Sequence, residues 1–280
     1  MTKTLLFLSI LSSSLAFSQE DLLKDIDTIK TNTDISQPAF KGLQVVTAQS
    51  TKLTAKNEWY IVVAHRFGDI STGFKNFFGL DQASTKLGAI YGVTDGLSLS
   101  LSRETNGKTF ELGAKYSLLK QNDNFPVDIV GYNVMALRTD INKDNYPHLQ
   151  FNDKLSYLTQ ALISRRFNDK LSLQLTPSYV HKNLYEPNIE DKNQFLTGLG
   201  GRYKISKRIS INAEYFVNFD NHSFYKNPLS LGMDIETGGH VFQLVFSNSQ
   251  LNSDIGYLTN ATGKWDKGQI FFGFNLYRVF

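Results

Sequence analysis

The stretch RISINAEYFVN, residues 208–218, puts Ile209, Ile211, Ala213, Tyr215 and Val217 on one face of an extended chain. Ser210, Asn212, Glu214 and Asn218 fall on the other. Side chains that repeat every second residue belong to a strand, and a strand apolar on one side and polar on the other stands between two media. The pattern recurs along the chain. In LSLSLSRE, Leu97, Leu99 and Leu101 oppose Ser98, Ser100 and Ser102. In FELGAKYSL, Phe110, Leu112, Ala114, Tyr116 and Leu118 oppose Glu111, Gly113, Lys115 and Ser117. In KLSLQLTPSYV, Leu171, Leu173, Leu175 and Tyr179 oppose Ser172, Gln174, Thr176 and Ser178.

Turn signals divide the chain into about twelve such segments, at 56–67, 84–93, 96–104, 108–118, 126–138, 154–167, 170–181, 192–204, 208–218, 229–235, 238–248 and 267–280. Asp95-Gly96 and Gly238-Gly239 are strong hairpin dipeptides, and Asn168-Asp169 and Ser206-Lys207 are equally short. If the first strand runs outward from the periplasm, these tight turns all fall on the periplasmic side. The long polar loops near 68–83, 139–153, 182–191, 219–228 and 249–266 all fall outside, with Asn106-Gly107 the one short external turn. An even strand number, short inner turns and long outer loops are the layout of a bacterial membrane barrel. The expected fold class is all-β, an antiparallel transmembrane β-barrel of about 12 strands spanning 56–280.

The aromatic residues agree with this. The chain has 21 Phe and 13 Tyr among 280 residues. With the strands so directed, Phe110, Tyr179, Phe195 and Tyr215 come near the outer interface, and Trp59, Tyr91, Tyr116 and Tyr203 near the inner one. Two aromatic girdles form where hydrocarbon meets head groups, whereas a soluble β-sandwich would scatter its rings through a core. The chain closes on GQIFFGFNLYRVF, in which Ile270, Phe272, Phe274, Leu276 and Phe280 share one face. Such a strand must pair with the first, because an open edge in lipid leaves backbone groups unsatisfied. Its Phe274, Leu276 and terminal Phe280 resemble the C-terminal sorting signal read by the barrel-assembly machinery.

A mean hydropathy of −0.25 conceals all this, since the two faces of each strand cancel. The N-terminus argues for export. Lys3 precedes the apolar run LLFLSILSSSLAF, too short to span a membrane as a helix, and Ala16-Phe17-Ser18 offers a cleavage site. We therefore expect a signal peptide at 1–18, a periplasmic N-terminal segment at 19–55, and residence in the outer membrane of a Gram-negative cell. The expected partners are outer-membrane lipids and the assembly machinery during insertion. A formal charge of +3 gives no reason to expect nucleic acid.

The inward-facing charges Glu104, Glu111, Lys115, Arg202, Lys204 and Glu214 are the candidate lumen-lining residues. They either line a pore or pair across it and plug it. No catalytic, cofactor-binding or metal site is expected. The weaker enzyme alternative, an outer-membrane lipase, has only His222-Ser223 and the SRETNGK segment at 102–108 to draw on, with no histidine near the latter. His65, His148, His181, His222 and His240 show no ligand spacing. A passive pore or small-solute barrel is thus the leading expectation, and a plugged structural or docking barrel the alternative.

One stretch is more distinctive. His65-Arg66-Phe67-Gly68 is followed by Phe77-Phe78-Gly79-Leu80-Asp81-Gln82-Ala83 and then by YGVTDGLSL, with FKGLQVVTAQST at 40–51 upstream. These elements resemble a family of outer-membrane β-barrel proteins defined as a domain of unknown function, and the resemblance runs from about residue 40 to the end. It implies a barrel and carries no functional residues with it. The loop with Phe74, Phe77, Phe78, Leu80, Asp81 and Gln82 is too apolar to hang free in water. We expect it to fold into the lumen or pack on the rim, narrowing the pore as a constriction, or else to serve as a docking surface. FKGLQVVTAQST breaks strand parity if made to span, so it is expected at the periplasmic mouth.

Overall fold

The computed structural model describes residues 37–144, 146–219, 224–238 and 240–280. The signal peptide expected at 1–18 and the first part of the 19–55 segment lie outside the described residues, as do His222 and Ser223. Twelve strands close into one antiparallel barrel: β1 (Trp59–Asp69), β2 (Ala83–Thr94), β3 (Leu97–Glu104), β4 (Thr109–Leu119), β5 (Asp128–Arg138), β6 (Leu155–Arg166), β7 (Leu171–Lys182), β8 (Asn193–Lys204), β9 (Ile209–Asn218), β10 (Leu229–Thr237), β11 (His240–Ser247) and β12 (Phe271–Val279). Each strand pairs with its sequence neighbours, and β12 closes on β1 with Val63 opposite Leu276 and His65 opposite Phe274. Trp59 and Phe280 exchange both backbone hydrogen bonds, at 3.2 and 2.9 Å, so the last residue is the final rung of the closure. The closed ladder leaves no unpaired edge for lipid.

Alternation sets the two faces. Along β9, Ser210, Asn212 and Glu214 are buried inside while Ile211, Ala213 and Tyr215 are exposed outside. Leu99, Leu101, Leu112, Leu199, Phe195 and Ile211 each expose 43–60% of their surface on the outer wall. A water-facing protein rarely shows so continuous an apolar surface. Here that surface is the lipid-facing belt. The rings stack across the closing seam, with Phe67 against Phe272 at 5.9 Å and His65 against Phe274 at 5.5 Å. No helix among the described residues is long and apolar enough to cross a membrane, as expected where strands do the crossing.

Two ends are distinguishable. At one lie both termini of the barrel and the short connections 95–96, 167–170, 205–208 and 238–239, together with the eight-residue link 120–127. At the other lie the long connections between β1 and β2, β5 and β6, β7 and β8, β9 and β10, and β11 and β12. The last of these carries helix α1 (Asp254–Thr259).

Candidate functional site

The lumen is filled. Residues 39–51 do not stay at the mouth, where the sequence reading put them, but run into the barrel, and nearly all of them are buried. They form a small hairpin in which Gln44 bridges Gln49, Val45 N–H donates to Ala48 O at 2.8 Å, and Ser50 N–H donates to Leu43 O at 3.0 Å. The reason is unsatisfied backbone. A chain inside a barrel must find partners for its N–H and C=O groups, and the polar inner faces of the strands supply them. Glu214 of β9 accepts from three consecutive amides at the hairpin tip, Val46 at 3.0 Å, Thr47 at 2.7 Å and Ala48 at 3.1 Å. Asn275 and Gln243 donate to the carbonyls of Val46 and Val45 at 2.8 and 2.9 Å. Gln174 brackets the returning arm, donating to Gln49 O and accepting from Thr51 N–H. Lys115 donates to the carbonyls of Leu43, Ser50 and Lys52. Arg66 of the distinctive His-Arg-Phe-Gly run reaches Thr47 Oγ1 at 3.2 Å and Asn275 Oδ1 at 2.8 Å.

Glycines give the hairpin room. A Cβ on Gly200 would stand 3.2 Å from Val45 Cγ1, and one on Gly232 would stand 3.1 Å from Val46 Cγ1. Closer to the mouth, a Cβ on Gly92 would lie 1.8 Å from Ala55 O, so this strand position takes only glycine. Lys52, on the way out, has its ammonium pushed below the usual lysine range by burial and by Lys41.

From the long-loop end a second insert descends, residues 248–262 of the β11–β12 connection. Glu104 accepts from Asn252 N–H at 2.6 Å and Ser253 N–H at 2.9 Å, and Glu111 accepts from Asp254 N–H at 2.7 Å. Lys86 pairs with Glu111 at 2.7 Å and Asp254 at 3.5 Å, and Tyr132 donates to Asp254 at 2.9 Å. Beyond this ionic latch the insert turns apolar. Ile255, Tyr257 and Leu258 pack on Val130, Val134, Leu158, Leu162, Val180, Leu196 and Phe216. The lumen wall formed by β5–β9 is therefore greasy on its inner face and seats α1. Burial raises the Tyr257 hydroxyl well above the usual tyrosine range. The two inserts meet where Gln49 donates to Asp254 Oδ1 at 3.0 Å and Ala48 joins the apolar cluster.

The six expected lumen residues all face inward. Five are buried, and Lys204, at the short-turn end, is half-buried. They do not line open water. Glu104, Glu111, Lys115 and Glu214 are spent on the inserts, and Arg202 pairs with Glu236 at 2.6 Å. The loop expected in the lumen or on the rim does not enter the lumen. Phe74, Phe77, Phe78 and Leu80 remain outside with 42–85% of their surfaces exposed, and Asp81 and Gln82 are exposed too. The inserts already occupy the lumen, and Phe77 and Phe78 of this loop adopt left-handed backbone (φ 43° and 55°). Phe274, Leu276 and Phe280 sit on the outer wall, as read from the sequence. Ser102 donates to Glu111 with no histidine beside it, and no group of metal-ligating side chains stands out among the described residues.

Sequence reasoning missed the second insert, and a signal existed. In DIVGYNVMALR of β5, Val130, Tyr132, Val134 and Ala136 lie on the inner face although Ile129, Met135 and Leu137 already supply the outer one. A strand apolar on both faces is covered on both.

A closed antiparallel barrel with a lipid-facing outer wall and a polar, occupied interior defines a membrane β-barrel of the outer-membrane type. The chain belongs to the family described as "Membrane bound beta barrel domain (DUF5777)", whose model matches residues 40–280. The match thus includes the hairpin insert as well as the barrel. Among solved structures the chain is similar to the NanC porin, at 10% identity and TM-score 0.50, covering 79% of this chain and 98% of that one. It is similar to the KdgM porin at 12% identity and TM-score 0.50, covering 79% and 99%. These likenesses are of fold. No curated protein sequence matches the chain.

Proposed function

We propose that the protein is an outer-membrane channel barrel for small hydrophilic solutes, held closed in the described state by its two inserts. The observation that carries this reading is how the inner hairpin is held. Beside four buried apolar side chains, Phe40, Leu43, Val45 and Val46, its anchors are side-chain hydrogen bonds to backbone, from Glu214, Asn275, Gln243, Gln174 and Lys115, which water can replace one by one. The porin-like fold supports the reading, and one such porin is described in complex with disordered oligogalacturonate. The remaining parts follow from sequence. The N-terminal run at 1–18 serves as a cleaved export signal, and the aromatic end at Phe280 serves as the insertion signal. Lipid and the assembly machinery are the partners, and no enzymatic step is assigned. Planar-bilayer recording tests this: brief openings from a closed baseline are expected, and their absence under voltage and in low concentrations of urea would contradict it.

The filled lumen itself favours a second reading, a plugged structural or docking barrel. In that case the exposed Phe74 and Phe78, whose rings meet at 4.8 Å, would be the feature presented outside. A barrel silent in bilayers with and without residues 37–55 would establish it.

A further inference from the structure

The inserts do not fill the lumen evenly. Large apolar side chains of β5–β9 grip α1, but the opposite wall is built small. Ser98, Ser100 and Ser102 of β3 face inward between Gly88 of β2 and Gly113 of β4. Three cavities follow one another from end to end past that wall. A vestibule of about 380 Å³ at the long-loop end, flanked by Ala136, Arg138, Ser156 and Lys182 of β5–β7, reaches down to Glu104 and Ser253. A central cavity of about 50 Å³ lies against the serines, bounded by Lys86, Glu111 and Asp254. A cleft of about 370 Å³ at the short-turn end begins at Lys52 and Thr54, which also bound the central cavity. Two partitions separate the three. One is the Ser253–Asp254 step with its ionic latch, and the other is the Lys52–Thr54 backbone. The Thr54 hydroxyl is buried there with no hydrogen-bond partner, on the boundary shared by two cavities.

We propose that the permeation route runs along the β2–β4 wall rather than down the barrel axis, with the Lys86–Glu111–Asp254 latch as its outer gate. This rests on the channel reading above. Peeling residues 249–254 away joins vestibule and central cavity, while Tyr257 and Leu258 stay seated on β5–β9 as the hinge. The same motion takes Asp254 off the wall and leaves two carboxylates, Glu104 and Glu111, on a route with three lysines, Lys86, Lys115 and Lys52. With hydroxyls between them, the route takes small uncharged polar solutes and favours anions modestly over cations.

The chain has no cysteine, so single thiols report on the route directly. S100C places one on the route. S178C places a matched one on the inner face of β7, where Ser178 bonds Gln160 and borders none of the three cavities. Both variants are reconstituted in planar bilayers, and a positively charged methanethiosulfonate is added from the long-loop side. The expected result is a loss of roughly half or more of the conductance in S100C, with S178C unchanged, because a charge placed in a narrow pore blocks it. Wild-type conductance with block in S178C, or in neither variant, overturns the side route and leaves the channel reading standing. A silent wild type overturns both. The gate is read separately. K86M is expected to raise open probability and shift the route's preference toward cations, and an unchanged reversal potential in a salt gradient would count against the latch lining it.

Discussion

The two inserts occupy one lumen by different means. The hairpin at 39–51 is clasped along its backbone by polar side chains from β1, β4, β7, β9, β11 and β12, and its Phe40, Leu43, Val45 and Val46 are buried in two small apolar clusters with Val62, Val245 and Tyr277. The descending loop at 248–262 is held at its front by Glu104, Glu111 and Lys86 and behind by an apolar seat on β5–β9. The difference concerns release. Backbone hydrogen bonds exchange for bonds to water at small net cost, about 0.5–1.5 kcal/mol each. Exposing a buried Leu or Phe costs about 1.5–3 kcal/mol with nothing in return. Both inserts expose apolar side chains on leaving, but more of the hairpin's contacts are polar clasps on its backbone, so solvent competes for a larger share of them than it does for the seat of α1.

The largest test of that contrast is removal. A chain starting near Thr54 keeps every strand and loses the hairpin, and its conductance is expected to rise by about an order of magnitude, since barrels of this strand number enclose more than their own side chains. Replacing 250–262 by a short polar turn is expected to strip cover from the greasy wall, destabilising the barrel instead. Its heated-versus-unheated gel shift should then move to lower temperature. If both removals simply opened the pore, the inserts would be equivalent.

Next in size come substitutions at the two seats. L258A is expected to cost about 2–5 kcal/mol, as emptied apolar sites do, and to lower the temperature of the gel shift. E214A leaves three amides of the hairpin tip without an acceptor, at about 1–3 kcal/mol for each donor that finds no water. Because the hairpin is no part of the strand ladder, that cost should appear as a higher open probability with little change in barrel melting. E104A strips two amides, those of Asn252 and Ser253, and should act in the same direction less strongly.

The smallest expected effect is one of pH. The Lys52 ammonium is held below its ordinary range in the native state, so the unlocked segment binds more protons than the seated one between that lowered value and the ordinary one. Seating of the hairpin therefore strengthens as pH rises through this alkaline window, and open probability falls. K52Q should flatten the dependence.

The barrel itself was legible because its cause is local. Each strand must alternate, and RISINAEYFVN, LSLSLSRE and the closing IFFGFNLYRVF do so whatever lies inside. The twelve strands fall within a few residues of the expected segments. The inner charges were legible for the same reason, since Glu104, Glu111, Lys115 and Glu214 follow from parity alone. What they hold was not. FKGLQVVTAQST has no period of its own, because a hairpin clasped on all sides by a polar wall takes its conformation from that wall. The GFKNFFGLD loop misled because apolar content argues for cover without saying whether lumen, lipid or rim provides it. Its left-handed Phe77 and Phe78 are likewise announced by no composition rule.

The account depends on residues 39–51 sitting inside the barrel, and a disulfide tests that directly in a chain without other thiols. V46C combined with G232C places one thiol on the hairpin tip and one on β10, at positions where a Cβ on residue 232 stands 3.1 Å from the Val46 side chain. Mild oxidation of the membrane-embedded protein is expected to join them in most molecules and to suppress opening until a reductant is added. Recovery of two free, independently alkylated thiols from folded barrels would show that the hairpin does not occupy the lumen.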